Sequence, residues 1–205
     1  MEGYITIKHS SHFEYEDRKS RFYGEAMPVE TEQDAIAFIE SVRRRYPDAT
    51  HHVYAYVLKE NSIMRYSDDR EPQGTAGMPV LDAIRKNGCT NVVIVVTRYF
   101  GGTLLGTGGL VHAYSAAAIG ALKDAEIIRY DTYREYRLTT TYSDFQKLGN
   151  VFAEFDFRET DSIYSDVIDL YGKVLSSTSD LFERKLVEST SGRIKIEKKD
   201  EIFDF

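Results

Sequence analysis

The residues best suited to chemistry lie in a glycine-rich stretch, TRYFGGTLLGTGGLVHAY, between Thr97 and Tyr114. This stretch places Arg98 and five glycines between an apolar run and a run of alanines. A buried strand, a glycine turn and a helix start form a generic anion site, because the first helical N–H groups are unpaired and glycine lets a phosphate approach the backbone. The stretch therefore predicts a site for a negatively charged group.

Two standard phosphate motifs do not fit this stretch. Gly101 and Gly106 have the spacing of a P-loop, but Thr107 and Gly108 stand where lysine and serine or threonine are required. Gly106 and Gly108 begin a dinucleotide-binding pattern, but Val111 stands at its third glycine. The prediction is therefore anion binding without a standard nucleotide motif.

A second glycine loop, SDDREPQGTAGMP, repeats the order of strand end, loop and helix start. Thr75 is a candidate N-cap for the helix that follows. If the strands before the two loops run parallel, both loops open at the same edge of the sheet. The predicted binding site then combines residues of both loops: Asp69, Glu71, Gly74, Thr75, Gly77, Arg98, Tyr99, Gly101, Gly102, Gly106, Gly108, Gly109 and His112.

A purely structural explanation of these residues is equally open. In that interpretation the glycines only permit tight turns and close helix packing. Arg98 then pairs with an acidic residue of the second loop instead of with a ligand.

The strongest basic cluster is Arg43, Arg44 and Arg45 in VRRRY. Its position in the last turn of a predicted helix favours a simple role, since positive charge there complements the helix dipole. The alternative is an RNA contact, because an aromatic side chain near basic residues can stack on a base. The nearby residues that favour RNA are Arg18, Lys19, Arg21 and Tyr23.

The sequence favours binding over catalysis. Cys89 in KNGCTN has no catalytic partner that the sequence reveals, so an unreactive thiol is expected. His51 and His52 are neighbours in a predicted strand, so they face opposite sides and cannot chelate one metal ion. His9 and His12 have the spacing of helical neighbours near a chain end. We expect no catalytic residue, no metal site and no cofactor.

The elements that position these residues alternate between strand and helix up to about residue 130. NVVIVVTRYF is a β-branched run without alternation, which predicts a central strand buried on both faces. GTAGMPVLDAIRKNG and GLVHAYSAAAIGALKDA predict helices that begin at the two glycine loops, and Thr31 predicts the N-cap of another helix. The other strand patterns are SRFYGEAMPV, HHVYAYVLKE and SIMRYSDD, the last two as a hairpin.

The rest of the chain has the order β-α-β-β-α-β, which is typical of ferredoxin-like domains. Ser143 is the predicted cap of its first helix. We therefore predict an α+β protein with domains at residues 1–130 and 131–205. The segments are IIRYDTYREYRLTTTY, SDFQKLGNVFAEF, RETDSIYS, DVIDLYGKVL, SSTSDLFERKLVEST and RIKIEKKDEIF.

Composition limits the setting and the partners. The 205 residues contain one cysteine, which fits a reducing compartment, and the amino terminus lacks the apolar core of a signal peptide. We expect a soluble cytoplasmic protein. The formal net charge is −7, so broad adhesion to a phosphate backbone is not expected. A local basic patch remains compatible with this charge.

Two ordered motifs, EPQGTAGMPVLDAI and NVVIVVTRYFGGTLLGTGGLVHAY, resemble the YigZ/IMPACT family, and the resemblance covers essentially the whole chain. It implies a first domain of the ribosomal protein S5 second-domain type and a small ferredoxin-like second domain, a pair also found in elongation factor G. Two residues depart from the family pattern: Arg70 replaces the usual glycine before EP, and His112 replaces the usual arginine before AY. The loss of that arginine weakens a phosphate site, although a protonated histidine can also contact an anion.

The resemblance implies a role in regulating translation, since the eukaryotic relatives bind the activator of the amino-acid-starvation kinase. We therefore expect a non-catalytic factor that binds RNA, the ribosome or a translation-related protein. The alternative is a nucleotide-dependent or small-molecule enzyme that uses the glycine loops as an anion site. This alternative depends on fold analogy with a kinase superfamily, which does not establish activity.

Overall fold

The computed structural model describes residues 3–205, apart from the side chain of Asn61. Within this range the chain forms five α-helices, two 3₁₀ helices of three residues each (Glu60–Ser62 and Ser176–Thr178) and ten strands in two sheets. The strands are β1 (Tyr4–Ile7), β2 (Ser11–Asp17), β3 (Ser20–Pro28), β4 (His51–Val57), β5 (Met64–Ser67), β6 (Val92–Tyr99), β7 (Ile127–Thr140), β8 (Arg158–Tyr164), β9 (Ile168–Leu175) and β10 (Lys195–Asp204). The helices are α1 (Glu32–Arg45), α2 (Gly77–Lys86), α3 (Gly106–Asp124), α4 (Tyr142–Glu154) and α5 (Ser179–Thr190).

The chain divides into two compact units. The first unit is Tyr4–Arg129, and the second unit is Tyr130–Phe205 together with Gly3. Because β7 begins at Ile127, the division falls inside a strand and not in a linker. None of the helices in residues 3–205 has the length and apolar character needed to cross a membrane.

The first unit is built around a sheet with the strand order β2-β3-β6-β4-β5. β6 pairs antiparallel with β3 on one side and with β4 on the other. Its residues from Val92 to Arg98 are all buried, as a run of β-branched residues predicts for a central strand. The prediction that NVVIVVTRYF forms the centre of the sheet is confirmed.

Helices cover both faces of this sheet. Ile94 and Val96 pack in one core with residues of α2 and α3, whereas Val93 and Val95 pack in another core with α1. Successive residues of a strand point to opposite faces. The alternation continues to the end of β6, so Arg98 lies on the side of α2 and α3.

Two local predictions need correction. Thr141, not Ser143, caps α4, because its Oγ1 accepts a hydrogen bond from the Asp144 backbone N–H at 3.3 Å. His12 lies in β2, so it is not the helical neighbour of His9. The predicted cap of α1 is confirmed, since Thr31 Oγ1 accepts from the Asp34 N–H at 3.1 Å.

In the second unit the strands pair antiparallel in the order β10-β7-β9-β8. Side chains of β7, β9, α4 and α5 meet in one core, which includes Tyr136, Leu148, Leu170 and Phe182. Both helices therefore pack on the same face of these strands. The order of elements along the chain is the predicted β-α-β-β-α-β.

Candidate functional site

Two glycine loops of the first unit lie at one edge of its sheet. They are the α2 loop (Asp68–Ala76), which follows β5, and the α3 loop (Phe100–Leu105), which follows β6. β5 and β6 are both antiparallel to β4, which lies between them, so they run parallel to each other. The two loops therefore open at the same edge of the sheet, as expected for parallel strands.

The α2 loop is closed by its own aspartate. The carboxylate of Asp68 accepts hydrogen bonds from the N–H groups of Gly74 at 2.9 Å, Ala76 at 3.1 Å and Gly77 at 2.7 Å. Thr75 is not the N-cap, because its hydroxyl donates to the Pro72 carbonyl at 2.6 Å. Since Asp68 already supplies an anion at this helix end, these N–H groups are not available to a ligand.

The glycines of the α3 loop meet different needs. A Cβ on Gly101 would lie 2.1 Å from the Lys19 carbonyl carbon, so this position requires close backbone approach. Gly102 and Gly106 have φ angles of +82° and +72°, which favour glycine. A Cβ on Gly108 would meet nothing within 4 Å. Only some of these glycines are therefore required by the backbone.

A cavity of about 440 Å³ lies between the two loops. The apolar part of its lining comes mainly from Phe100, Leu104, Leu105 and Leu110. Phe100 and Leu104 are 48% and 80% exposed, although both are large apolar side chains. The helix α3 begins at this cavity, and its N-cap residue, Leu105, makes no side-chain capping hydrogen bond.

A buried ion pair forms the polar wall of the cavity. Arg98 donates from Nη1 to Glu71 Oε1 at 2.6 Å, and the Tyr114 hydroxyl donates to the same oxygen at 2.7 Å. Arg98 is 5% exposed and Glu71 is 8% exposed. Burial and the neighbouring Glu71 raise the pKa of Tyr114, so its hydroxyl stays protonated and donates. The structural explanation, in which Arg98 pairs with an acidic residue of the α2 loop, is therefore correct for one of its nitrogens.

Two further polar features belong to this wall. The Nε–H group of Arg98 is buried and has no hydrogen-bond partner within the described residues. His51 lines the cavity, donates from Nδ1 to the Asp69 carbonyl at 2.8 Å and places Nε2 3.6 Å from Glu71 Oε1. Because a carbonyl oxygen can only accept, Nδ1 must carry a proton, and Nε2 is the nitrogen left for another partner.

The predicted site residues separate into several groups. Glu71, Arg98 and Gly106 line the cavity, together with three polar residues that are not among the predicted ones, Thr50, His51 and Thr107. The remaining predicted residues do not line it: Asp69, Gly74, Thr75, Gly77, Tyr99, Gly101, Gly102, Gly108, Gly109 and His112.

Three of the residues outside the cavity have partners elsewhere. Asp69 accepts from the His52 N–H at 2.6 Å, and so holds the loop against β4. His112 makes an edge contact with Tyr15, at 6.2 Å between ring centroids. Tyr99 follows Arg98 on a strand and therefore lies on the opposite face of the sheet.

That opposite face carries a cluster of aromatic rings, which we call the aromatic face (His12, Arg21, Tyr23, Tyr46 and Tyr99). Tyr23 stacks with His12 and with Tyr46, each at 5.7 Å between centroids, and meets Tyr99 edge-on at 5.9 Å. Together with Arg21 these side chains line a depression of about 400 Å³. Of these residues, only Arg21 and Tyr23 are among those predicted for an RNA contact, because the others come from distant segments.

Acidic groups border the aromatic face. The Tyr99 hydroxyl donates to Asp48 at 2.8 Å, and burial together with this carboxylate raises the pKa of Tyr99 to about 12. His12 lies 3.4 Å from Glu14. Both acidic residues also line the depression, so its charge is mixed.

The arginine cluster at the end of α1 is mostly paired. Arg43 contacts Glu40 at 2.8 Å, and Arg45 contacts the buried Glu25 at 2.5 Å. Arg44 is exposed and forms no ion pair within residues 3–205. Two of the three arginines thus have structural partners, and one is open to solvent.

The described residues contain no group of three or more His, Cys, Asp and Glu side chains that could hold a metal ion. Cys89 is buried, and burial raises the pKa of its thiol to about 11. At neutral pH this thiol is therefore protonated and a weak nucleophile.

Two family models match the chain. The Impact N-terminal domain matches residues 18–122, and a domain of unknown function (DUF1949) matches residues 138–193. IMPACT family member YvyE of Bacillus subtilis (strain 168) is 33% identical over 197 residues, which cover 96% of this chain and 91% of YvyE. IMPACT family member YigZ of Escherichia coli (strain K12) is 34% identical over 184 residues, which cover 88% of this chain and 90% of YigZ.

A solved structure shows the same similarity. A protein described as "Crystal structure of an hypothetical protein" superposes with a TM-score of 0.61 at 32% sequence identity. The superposition covers 98% of both chains. The similarity therefore includes both units.

Proposed function

The chain belongs to the IMPACT family, and we propose that it is a non-catalytic cytoplasmic factor in translation that binds RNA through its aromatic face. The observation that carries this proposal is the set of stacked rings beside an exposed arginine on one face of the first sheet. The role in translation is what the family resemblance implies. The single cysteine supports a reducing compartment.

Aromatic rings on a sheet face suit single-stranded RNA, because every base has a face that can stack on them. His12 is exposed and stacks with Tyr23 on one side, so it can offer its ring to a base. Alanine substitution of such a stacking residue typically costs about 1–3 kcal/mol per base. This contact does not depend on the overall charge of the protein.

The electrostatic contribution is expected to be small. Arg21 and Arg44 are exposed and form no ion pair within residues 3–205, so they can each contact a phosphate. Two neutralised phosphates on single-stranded RNA give a slope of about −1.4 in log K against log salt. Binding should therefore weaken with salt much less than for a strongly basic protein, in keeping with a net charge of −7.

We further propose the finer fold assignments, with an S5 second-domain type for the first unit and a ferredoxin-like type for the second. The strand order β10-β7-β9-β8, with two helices on one face, supports the ferredoxin-like assignment. The family resemblance supports both. Elongation factor G contains a similar pair of folds, which is consistent with a role of this chain at the ribosome.

The test compares two double variants of equal charge change. Arg21→Glu/Arg44→Glu alters an arginine of the aromatic face and an exposed arginine in the last turn of α1, whereas Arg65→Glu/Lys86→Glu alters exposed residues of β5 and α2 as a matched control. Binding of a fluorescein-labelled 12-nucleotide RNA of mixed sequence is followed by fluorescence anisotropy from 50 to 200 mM KCl. We expect at least about a tenfold loss of affinity for the first variant only, since charge reversal removes attraction and adds repulsion.

His12→Ala tests the stacking part separately. It should weaken binding by about tenfold without changing the salt slope, because no phosphate contact is lost. Arg45 is left unchanged, since Arg45→Glu would place two carboxylates together and disturb the buried Glu25. Equal RNA affinity of the aromatic-face and control variants, or no RNA binding by the wild type, would reject the proposal.

A further inference from the structure

The cavity between the α2 and α3 loops lies on the opposite face of the sheet from the aromatic face, and the proposed RNA binding does not use it. Its volume of about 440 Å³ is in the range of small-molecule sites. Its lining is mostly apolar with a few convergent polar groups, which is the usual composition of such sites. The hydrogen bonds of these polar groups indicate which kind of ligand the cavity can hold.

Two acceptor atoms of the polar wall receive no hydrogen bond within residues 3–205. Glu71 uses only one carboxylate oxygen, since Arg98 and Tyr114 both donate to Oε1. Its Oε2 atom is unpaired, although the Glu71 side chain is only 4% exposed. His51 donates from Nδ1, so in the neutral imidazole Nε2 carries no proton and can only accept. The polar atoms that are both fully enclosed and unpaired include neither Oε2 nor Nε2, so both keep accessible surface.

The two open acceptors lie close together. His51 Nε2 is 3.6 Å from Oε1 of the Glu71 carboxylate, and both side chains line the cavity. Polar groups that leave water need a hydrogen-bond partner, and the loss of one costs free energy. A ligand with two donor hydrogens on one atom satisfies both acceptors. A carboxylate or a phosphate brings only further lone pairs and negative charge to this carboxylate, so neither suits the site.

The start of α3 requires the opposite kind of partner. Gly106 and Thr107 line the cavity at the first turn, and their N–H groups donate no hydrogen bond within the described residues. Such N–H groups need an acceptor, which an oxygen atom of the ligand can supply. A cation is disfavoured by this helix end, and an anion is disfavoured by Glu71. The polar head of the ligand is therefore uncharged and carries an acceptor oxygen beside two donor hydrogens.

The rest of the lining fits an apolar body. Phe100 and Leu104 present exposed apolar surface, and Leu110 lies behind them. We propose that this cavity binds a small primary carboxamide with an aromatic or branched apolar body. The amide NH₂ group donates to Glu71 Oε2 and His51 Nε2, and the carbonyl oxygen accepts from the start of α3. The apolar body lies against the phenylalanine and the leucines.

The experiment uses the full chain and benzamide as the probe, with three analogues of nearly the same shape. Benzoate is an anion without donors, benzamidine is a cation without the oxygen, and acetophenone keeps the oxygen but has no N–H group. Binding is measured by NMR chemical-shift titration, because ligands of this size bind weakly. Benzamide should bind at least about fivefold more tightly than each analogue, since each lacks part of the hydrogen-bonding pattern.

Two variants locate the site. Glu71→Gln keeps the side-chain size and an oxygen for Arg98 and Tyr114, but it places a donor NH₂ group where Oε2 stands. It should reduce benzamide affinity by at least about fivefold and abolish the preference for benzamide over benzoate. Leu104→Ser removes an exposed apolar contact and should reduce affinity by about threefold. Ile36→Ser, at a 50% exposed position of α1, is the matched control and should leave it unchanged.

Circular dichroism and thermal melting establish that each variant is folded. The comparison of the four ligands needs only the wild type, so it tests the proposal even if Glu71→Gln does not fold. No detectable binding of benzamide, equal or tighter binding of any analogue, or an unchanged preference for benzamide in folded Glu71→Gln would each overturn the proposal. Loss of this preference in Glu71→Gln, with retention in Ile36→Ser, supports it.

Discussion

The α2 loop and the α3 loop both lead from a strand end through glycines into a helix, yet their helix ends differ. At α2 the carboxylate of Asp68 accepts three backbone N–H groups. At α3 the N-cap residue, Leu105, makes no side-chain capping hydrogen bond, and the helix begins at a cavity. The comparison teaches that a glycine loop before a helix indicates an anion site only where the chain does not supply the anion itself.

The glycines of the two loops differ in the same way. Gly77 and Gly101 lie against backbone atoms, where a Cβ would come within 2.7 Å and 2.1 Å of its neighbours. Gly74, Gly102 and Gly106 would meet nothing within 4 Å, but they have positive φ angles. Gly108 has neither restriction among the described residues. Close packing, turn geometry and helix start therefore each account for some of these glycines.

The largest effect is expected from Gly101→Ala. Its Cβ would lie 2.1 Å from the Lys19 carbonyl carbon and 2.3 Å from the Ser20 nitrogen, and backbone atoms cannot move aside as a flexible side chain can. We expect a loss of about 3 kcal/mol in the free energy of unfolding, at the upper end for overpacking. Urea denaturation followed by circular dichroism measures it. A loss below about 1 kcal/mol would show that the turn between β2 and β3, which contains Lys19, moves aside easily.

A second, smaller loss is expected from Asp68→Ala, which would leave the start of α2 as open as that of α3. Removal of the carboxylate takes away three acceptor contacts and should cost about 2 kcal/mol, near the upper range for a helix cap. Asp82→Ala is the control, because Asp82 forms a half-exposed ion pair with Arg85 within α2. Equal midpoints in urea for the two variants would contradict the capping role.

The first turn of α4 also contains an acidic residue, Asp144. Unlike Asp68, this carboxylate pairs with two basic side chains. Arg193 and Lys147 donate hydrogen bonds to Asp144 and hold the pKa of its carboxyl well below the usual value of 3.8. A lowered folded pKa contributes stability above the unfolded pKa, and this contribution is lost as pH falls through the folded pKa. Wild type should therefore exceed Asp144→Asn in stability at pH 7, and the difference should shrink below about pH 4. Denaturation curves from pH 7 to pH 3 measure this difference, and a constant difference would contradict the assignment.

The smallest effect, of opposite sign, is expected from Gly108→Ala. This residue lies in the first turn of α3 with open space around it, so a methyl group meets no obstacle. Replacement of a helical glycine by alanine should stabilise the first unit by about 0.5–1 kcal/mol through loss of backbone entropy in the unfolded chain. Thermal melting of wild type, Gly108→Ala and Gly101→Ala measures the change in stability. A destabilisation would show that Gly108 is needed for more than helix formation.

Much of the fold could be predicted from the sequence. The β-branched run of β6, the cap at Thr31 and the β-α-β-β-α-β order of the second unit each follow from local patterns. The sequence gives no clear signal for strands β1 and β2, because β1 has only four residues and β2 alternates half-buried and exposed positions without a strong apolar face. The predicted N-cap of α2, Thr75, is wrong because Asp68 accepts from N–H groups six to nine residues further along the chain. This separation lies outside the usual spacing of an N-cap.

Neighbouring residues are enough to predict that two glycine loops lead into helices and that Arg98 lies at the end of a buried central strand. The pairing of Arg98 with Glu71, and the hydrogen bonds by which Asp68 caps α2, become visible only in the folded chain. The tertiary structure also decided that Tyr99 joins His12, Tyr23 and Tyr46 on the other face. Local patterns specify elements through backbone geometry and burial. The partner of a side chain depends instead on which distant segments the sheet brings within a few ångströms, and no local pattern contains that distance.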